Sequence, residues 1–184
     1  MQETQIIKIV FGIFLTIFAL VLFIIAFKVF YKYLIQEKRC KAKTKGIVKK
    51  YTLTNRGGEH SGVHLPIVYY EVKGKEYKVT GPEYKSYRTV ITSSLLESNS
   101  EVEYKEDEKQ RLIIKQKVNS FISIYKNPME KMYPLGSEVD VYYDESNPKI
   151  AYVLKYCNRK WTFWLIFLSG LFTLVLDMVI QLII

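Results

Sequence analysis

The sequence predicts a membrane α plus soluble β protein: two transmembrane helices, packed as an antiparallel pair, bracketing a small antiparallel β-sheet or partly open β-barrel. Three observations carry that expectation. Of the 184 residues 49% are hydrophobic, and they crowd at the two ends of the chain instead of spreading through one core. Residues 9–27 are 19 consecutive positions without a charge, and residues 161–176 are 16 more. About 130 residues lie between, one small domain's worth, and there β-branched and aromatic residues alternate with polar ones.

At about 1.5 Å rise per residue, each end segment can cross a hydrocarbon layer of roughly 30 Å. The first span, with its basic juxtamembrane extension, is placed at 6–35. Its apolar run passes into Phe27-Lys28-Val29-Phe30-Tyr31-Lys32 with no small-residue cleavage site, so it reads as a retained anchor and not as a signal peptide. The second span is placed at 161–184. Cytoplasmic flanks carry the excess of Lys and Arg. Residues 28–47 hold seven such residues against Lys8 alone upstream. Lys149, Lys155, Arg159 and Lys160 precede the second span and nothing basic follows Trp161. The expectation is a multi-pass protein of the cell (inner or plasma) membrane, with the central domain cytoplasmic and both termini outside.

The net charge of +9 is local: residues 28–50 carry nine basic side chains and one acidic. From 51 to 160 the balance is 17 to 15, which argues against a nucleic-acid-binding domain. Lys38, Arg39, Lys41, Lys43 and Lys45 form a collar suited to anionic lipid, at about 1 kcal/mol per cation near the surface; a plain topology signal is the simpler reading. Cys40 and Cys157 form no C-x-x-C and read as buried or idle thiols, with acylation as the alternative.

The central domain, 44–156, alternates with period 2. A first strand covers 46–53 and ends at the Asn55-Arg56-Gly57-Gly58 turn cluster. A second covers 65–72, with Pro66 at its entry because proline removes a ladder donor. Lys73-Gly74 makes a tight hairpin into 75–80, where Tyr77 and Val79 share a face. Val139, Val141 and Tyr143 alternate along a later strand, Asp144 to Pro148 turns at a solvated strand end, and 150–154 is the last strand. Residues 81–132 are a longer, variable insertion. Within it 101–105 and 111–118 pair as a hairpin, with Val102, Tyr104, Leu112 and Ile114 on one side and opposite charges facing across the other; a charged helix is the alternative. Phe121 to Met132 is apolar and reads as core.

The pattern Pro66-x-Val68-x-Tyr70-x-Val72-x-Gly74-x-x-Tyr77, followed by Tyr133-Pro134-Leu135-Gly136-x-x-Val139-x-Val141-Tyr142-Tyr143-Asp144-x-x-Asn147-Pro148, resembles a large, mainly bacterial family of membrane proteins built on a domain of unknown function. The resemblance implies a small β domain between transmembrane helices, and it brings no reaction, cofactor or catalytic residue with it. Its Gly and Asn-Pro positions read equally as turn chemistry.

No Walker loop, G-x-S-x-G or H-E-x-x-H occurs. His60 and His64 have H-x3-H spacing, but Gly62 and Pro66 disfavour the helix that would present them to zinc. No catalytic residue, cofactor or metal is expected, and the chain reads as no enzyme. The sharpest candidate lies in the spans. Ser169, Thr173, Asp177 and Gln181 recur every four residues, as do Lys8, Gly12 and Thr16, with Ala19 continuing the small face. Counted from the inner boundaries the two stripes fall in register, with Lys8 reaching toward Asp177 or Gln181. The functional expectation is an accessory or regulatory protein-interaction module whose partners are membrane lipids and one further protein, with no nucleic acid. Self-protection against a cognate toxin, and a transporter or enzyme component using Asp177, are the alternatives.

Overall fold

The computed structural model describes residues 2–56, 62–94, 102–119 and 127–183, and the chain divides into two compact units, 1–35 with 159–184 and 36–158. The first unit is helical. Helix α1 (Gln2–Ile25) passes through a π-helical turn (Ala26–Phe30) into α2 (Lys32–Arg39), and α4 (Lys160–Ile183) closes the chain. The π turn is fastened by the Tyr31 amide donating to the Ala26 carbonyl at 2.9 Å, a five-residue span that takes up one extra residue. Helix continues to Arg39, past the expected end at 35. Both α1 and α4 are long and apolar enough to cross a membrane. Their large side chains stand open, with Phe14 65%, Phe172 67% and Leu182 79% exposed.

The second unit is built on a five-stranded antiparallel sheet. Its strands are β1 (Ala42–Tyr51), β2 (Pro66–Val72), β3 (Lys75–Thr80), β7 (Glu138–Tyr143) and β8 (Ala151–Val153). Their order across the sheet is β3-β2-β1-β7-β8. Alternation decides their faces: Val68, Tyr70 and Val72 of β2 and Val139 and Val141 of β7 are buried, while their neighbours are more open. In β1 the pairing with β2 shifts between Val48 and Lys50. The extra residue of this bulge lets Tyr51 face inward two exposed lysines after Val48. At the hairpin, Lys73 (φ 51°) and Gly74 (φ 74°) both take left-handed backbone, the geometry of the twist-matched two-residue turn. The sheet curls, so that the Gly81 backbone, one residue past β3, lies against Val153 of β8: a Cβ at Gly81 would stand 3.2 Å from that side chain.

The insertion carries a second sheet, made from β4 (Ser86–Ser94), β5 (Val102–Glu106) and β6 (Arg111–Asn119) in the order β4-β6-β5. The β5–β6 hairpin places Tyr104 opposite Ile114 and Glu103 opposite Lys115. Asp107 holds its turn, accepting from the Lys109 and Arg111 amides at 3.1 and 2.8 Å and from the Arg111 guanidinium at 2.6 Å. Strand β4 lies parallel to β6, so the domain is not antiparallel throughout. A short helix, α3 (Met129–Met132), follows, and Met129 is fully buried; His60 and residues 121–126 of the expected apolar stretch lie outside the described residues.

Two apolar clusters result. One gathers Val48, Val68, Tyr70, Val141 and Val153 inside the curled sheet, and the other gathers Val63, Leu65, Tyr84, Leu112, Ile114 and Met129. Tyr51 and Tyr133 pack against both, and the Tyr51 hydroxyl donates to the Tyr133 carbonyl at 2.6 Å. The ends of the unit are tied down as well. Gln36 donates to the Ala151 carbonyl at 2.8 Å and the Cys40 thiol to the Ile150 carbonyl at 3.3 Å. Beyond β8, Lys155 pairs with Glu106 and its ammonium stands 3.9 Å from the centre of the Tyr84 ring. Gln110 donates to the Tyr156 carbonyl at 3.0 Å and accepts from the Asn158 amide at 3.1 Å.

Candidate functional site

Within the helical unit, a polar cluster forms toward the start of α1 and the end of α4. The Thr16 hydroxyl donates to Asp177 Oδ2 at 2.9 Å, and the Gln181 side-chain amide donates to the Lys8 carbonyl at 3.2 Å. Gly12 lies between these contacts. A Cβ there would meet Gln181 Nε2 at 2.2 Å and Asp177 Oδ1 at 3.1 Å, so the missing side chain makes room for both polar groups. Ile9, Ile13 and Ile17 complete a shallow groove of about 370 Å³ beside Asp177. Asp177 Oδ1 is shielded from solvent and has no hydrogen-bond partner among the described residues. It is the Lys8 carbonyl that meets α4; no ion pair joins the Lys8 ammonium to a described residue.

The four-residue stripe of α4 does not stay on one face. Ser169 and Thr173 donate to carbonyls of their own helix, Leu165 and Ser169, at 2.8 and 2.9 Å. The contacts with α1 run instead through Phe163 and Phe167 against Phe27, Phe167 against Phe23, Gly170 against Leu22 and Phe23, and then Asp177 and Gln181. These positions are spaced near the helical repeat, whereas steps of four drift by about 40° each. On α1 the small face reaches Ala19 and continues to Ala26, both fully buried. The aromatic half of this seam carried no polar signal in the sequence.

Several of the residues behind the family resemblance, Tyr70, Tyr77, Tyr143 and Pro148, meet at one corner of the curled sheet, whereas Pro66 and Gly136 lie toward the other end of their strands. Tyr70 stacks on Tyr77 and leans on Tyr143, at ring separations of 5.9 and 6.2 Å, and its hydroxyl donates to the Pro148 carbonyl. Asp144 accepts from the Ser146 amide and hydroxyl at 2.9 and 2.6 Å, and the Asn147 amide donates to the Asp144 carbonyl at 3.1 Å. Asp144 is buried, a correction to the solvated strand end expected of it: short polar neighbours bend the turn back over its carboxylate. Pro66 opens β2 and its carbonyl accepts from the Gly81 amide at 3.0 Å. Gly136 takes φ +83° in the turn that leads to β7.

The basic collar is partly absorbed by the sheet. Lys38 and Arg39 end α2, Lys41 follows, and Lys43 and Lys45 lie in β1, where both ammoniums reach Asp140 at 2.9 and 2.8 Å. Arg39 stands 3.9 Å from Asp144. Both thiols are buried, and burial, with the Asp144 charge second, pushes Cys40 up to about 11.

The same partners set an acid limit. Hydrogen bonds from Lys45 and then Lys43 hold the Asp140 carboxyl below the ordinary carboxylate range, and the Ser146 hydroxyl does so first for Asp144. A carboxyl lowered on folding stabilises fully above its unfolded value of about 3.9, and that contribution is lost as pH falls through the folded value. The melting temperature of the detergent-solubilised chain should therefore drop below about pH 4. Asp140→Asn should lower the neutral plateau and flatten the drop; an unchanged acid slope would remove Asp140 from this account.

Comparison of the chain with protein families, with curated proteins and with solved structures finds no match.

Proposed function

We propose that the chain is a two-span membrane protein, its helices an antiparallel pair, which carries the β unit on the cytoplasmic side as a non-enzymatic accessory or regulatory interaction module. The observation that carries the reading is the uncovered apolar surface of α1 and α4, which suits lipid. The excess of Lys and Arg at 28–47 supports the orientation. A docking role for the β unit is supported by Leu53, 98% exposed, and Leu135, 61% exposed, which leave the same end of the β1–β7 pair. The family resemblance belongs to this reading, as do lipid contacts of the remaining collar lysines.

Topology is tested with introduced cysteines, because both native thiols are buried. A membrane-impermeant maleimide should label Gln5→Cys in intact cells and Glu145→Cys only after lysis; the reverse pattern would invert the protein. Cross-linking from Leu53→Cys in native membranes should then capture one reproducible partner, lost when Leu135 is changed to Asp. Capture unaffected by Leu135→Asp would remove this end of the sheet as the docking surface.

A further inference from the structure

We propose that two copies of the chain associate through their helical units, the Lys8 ammonium of each copy seated on the Asp177 carboxylate of the other. This rests on the membrane reading. The two groups are the only charged side chains among residues 5–27 and 161–183, one of each sign, and neither forms an ion pair with a described residue. Asp177 spends one oxygen on Thr16 and leaves the other orphaned, a costly state for a carboxylate inside a bilayer.

The pair does not close within one copy for a visible reason. Gln181 lies over Gly12, one turn further along α4 from Asp177, and binds the Lys8 carbonyl, so it is Gln181 and not Asp177 that meets the turn of α1 carrying Lys8. Counted from Lys28 and Lys160 at about 1.5 Å per residue, Lys8 and Asp177 lie at depths of about 30 and 26 Å. A second copy related by a two-fold axis along the membrane normal therefore brings each lysine to the level of the other's acid. The contact is isologous, so both pairs form at once. The shallow groove that Ile9, Ile13 and Ile17 line beside Asp177 is the entry for the lysine. Charge complementarity and shared depth select a second copy as the occupant.

The test uses full-length chains with two different tags, co-expressed, solubilised in a mild detergent and co-isolated. Wild-type copies should co-isolate. Lys8→Asp alone sets two carboxylates against each other across the interface, and Asp177→Lys alone sets two ammoniums against each other. Each should lower self-association by roughly tenfold or more. Mixing the two variants should restore it. One chain then carries an acid at both positions and the other a base at both, so opposite charges meet between chains and never within one. The neutral variants Lys8→Gln and Asp177→Asn should each weaken association and fail to rescue one another. Restoration only when both exchanges are in the same chain would mean that the pair closes within a copy, and would overturn the proposal. So would a wild-type chain that does not co-isolate, or association indifferent to every substitution. Retention of the variants in membranes after an alkaline wash reads the membrane assignment separately from the pairing.

Discussion

Gly46→Val is expected to unfold the β unit. Gly46 lies in β1, the central strand, opposite Tyr70 of β2 and Val139 of β7. A Cβ there would stand 2.5 Å from Val68 Cγ1, 2.9 Å from Val141 Cγ2 and 3.0 Å from the Tyr69 carbonyl. None of these can withdraw cheaply: Val68 and Val141 are fully buried β-branched residues and the third is backbone. Overpacking of this kind costs about 3 kcal/mol or more, a large share of a small domain's stability. Limited proteolysis of the purified chain should show the central region cut at temperatures where the wild type resists. Gly74→Ala serves as a contrast, since a Cβ there meets nothing within 4 Å and the cost is confined to its left-handed backbone. Equal resistance of Gly46→Val and wild type would mean that β1 is not clamped between its neighbours as described.

Leu112→Ala carries the second large effect. Leu112 is 1% exposed in the insertion's own cluster, and truncation of such a leucine costs about 2–5 kcal/mol through lost transfer energy and the cavity left behind. What distinguishes the outcome is its reach. Tyr51 and Tyr133 belong to both clusters, so loosening one withdraws support from the other. Thermal unfolding of the variant should remain one transition, shifted down. A split into two transitions would show that the insertion folds independently of the curled sheet.

Much of this was legible in the sequence where burial and chemistry coincide. Val68, Tyr70 and Val72 alternate with more open neighbours in β2, Lys73-Gly74 supplies the turn, and Val139 and Val141 repeat the pattern in β7. The hairpin of β5 and β6 was legible from its opposed charges, Glu103 and Lys115 among them. The start of β1 was hidden because Ala42 and Thr44 give no apolar alternation against Lys43 and Lys45. Strand β4 was hidden because its partner lies about 25 residues away in parallel, with no local turn to announce the pairing. In the helices, Thr16, Gly12, Asp177 and Gln181 were visible as polar or small residues in apolar runs. Ser169 and Thr173 looked equivalent, yet their hydroxyls are satisfied by their own backbone. The phenylalanine seam could not be told from lipid-facing residues, since both are apolar.

Gln110 has a mechanical consequence. Strand β8 is three residues long and, among the described residues, pairs with β7 alone, a slender attachment for the last part of the sheet before the chain runs on toward α4. A load drawn along the backbone from Asn158 reaches Gln110 through the Asn158 amide and the Tyr156 carbonyl, and passes into the β5–β6 turn that Asp107 braces. The insertion thus acts as a strain relief, as a cable clamp does for a soldered joint. Tension at the C-terminal helix would be felt in the variable part of the domain before it could peel the strand that closes the sheet.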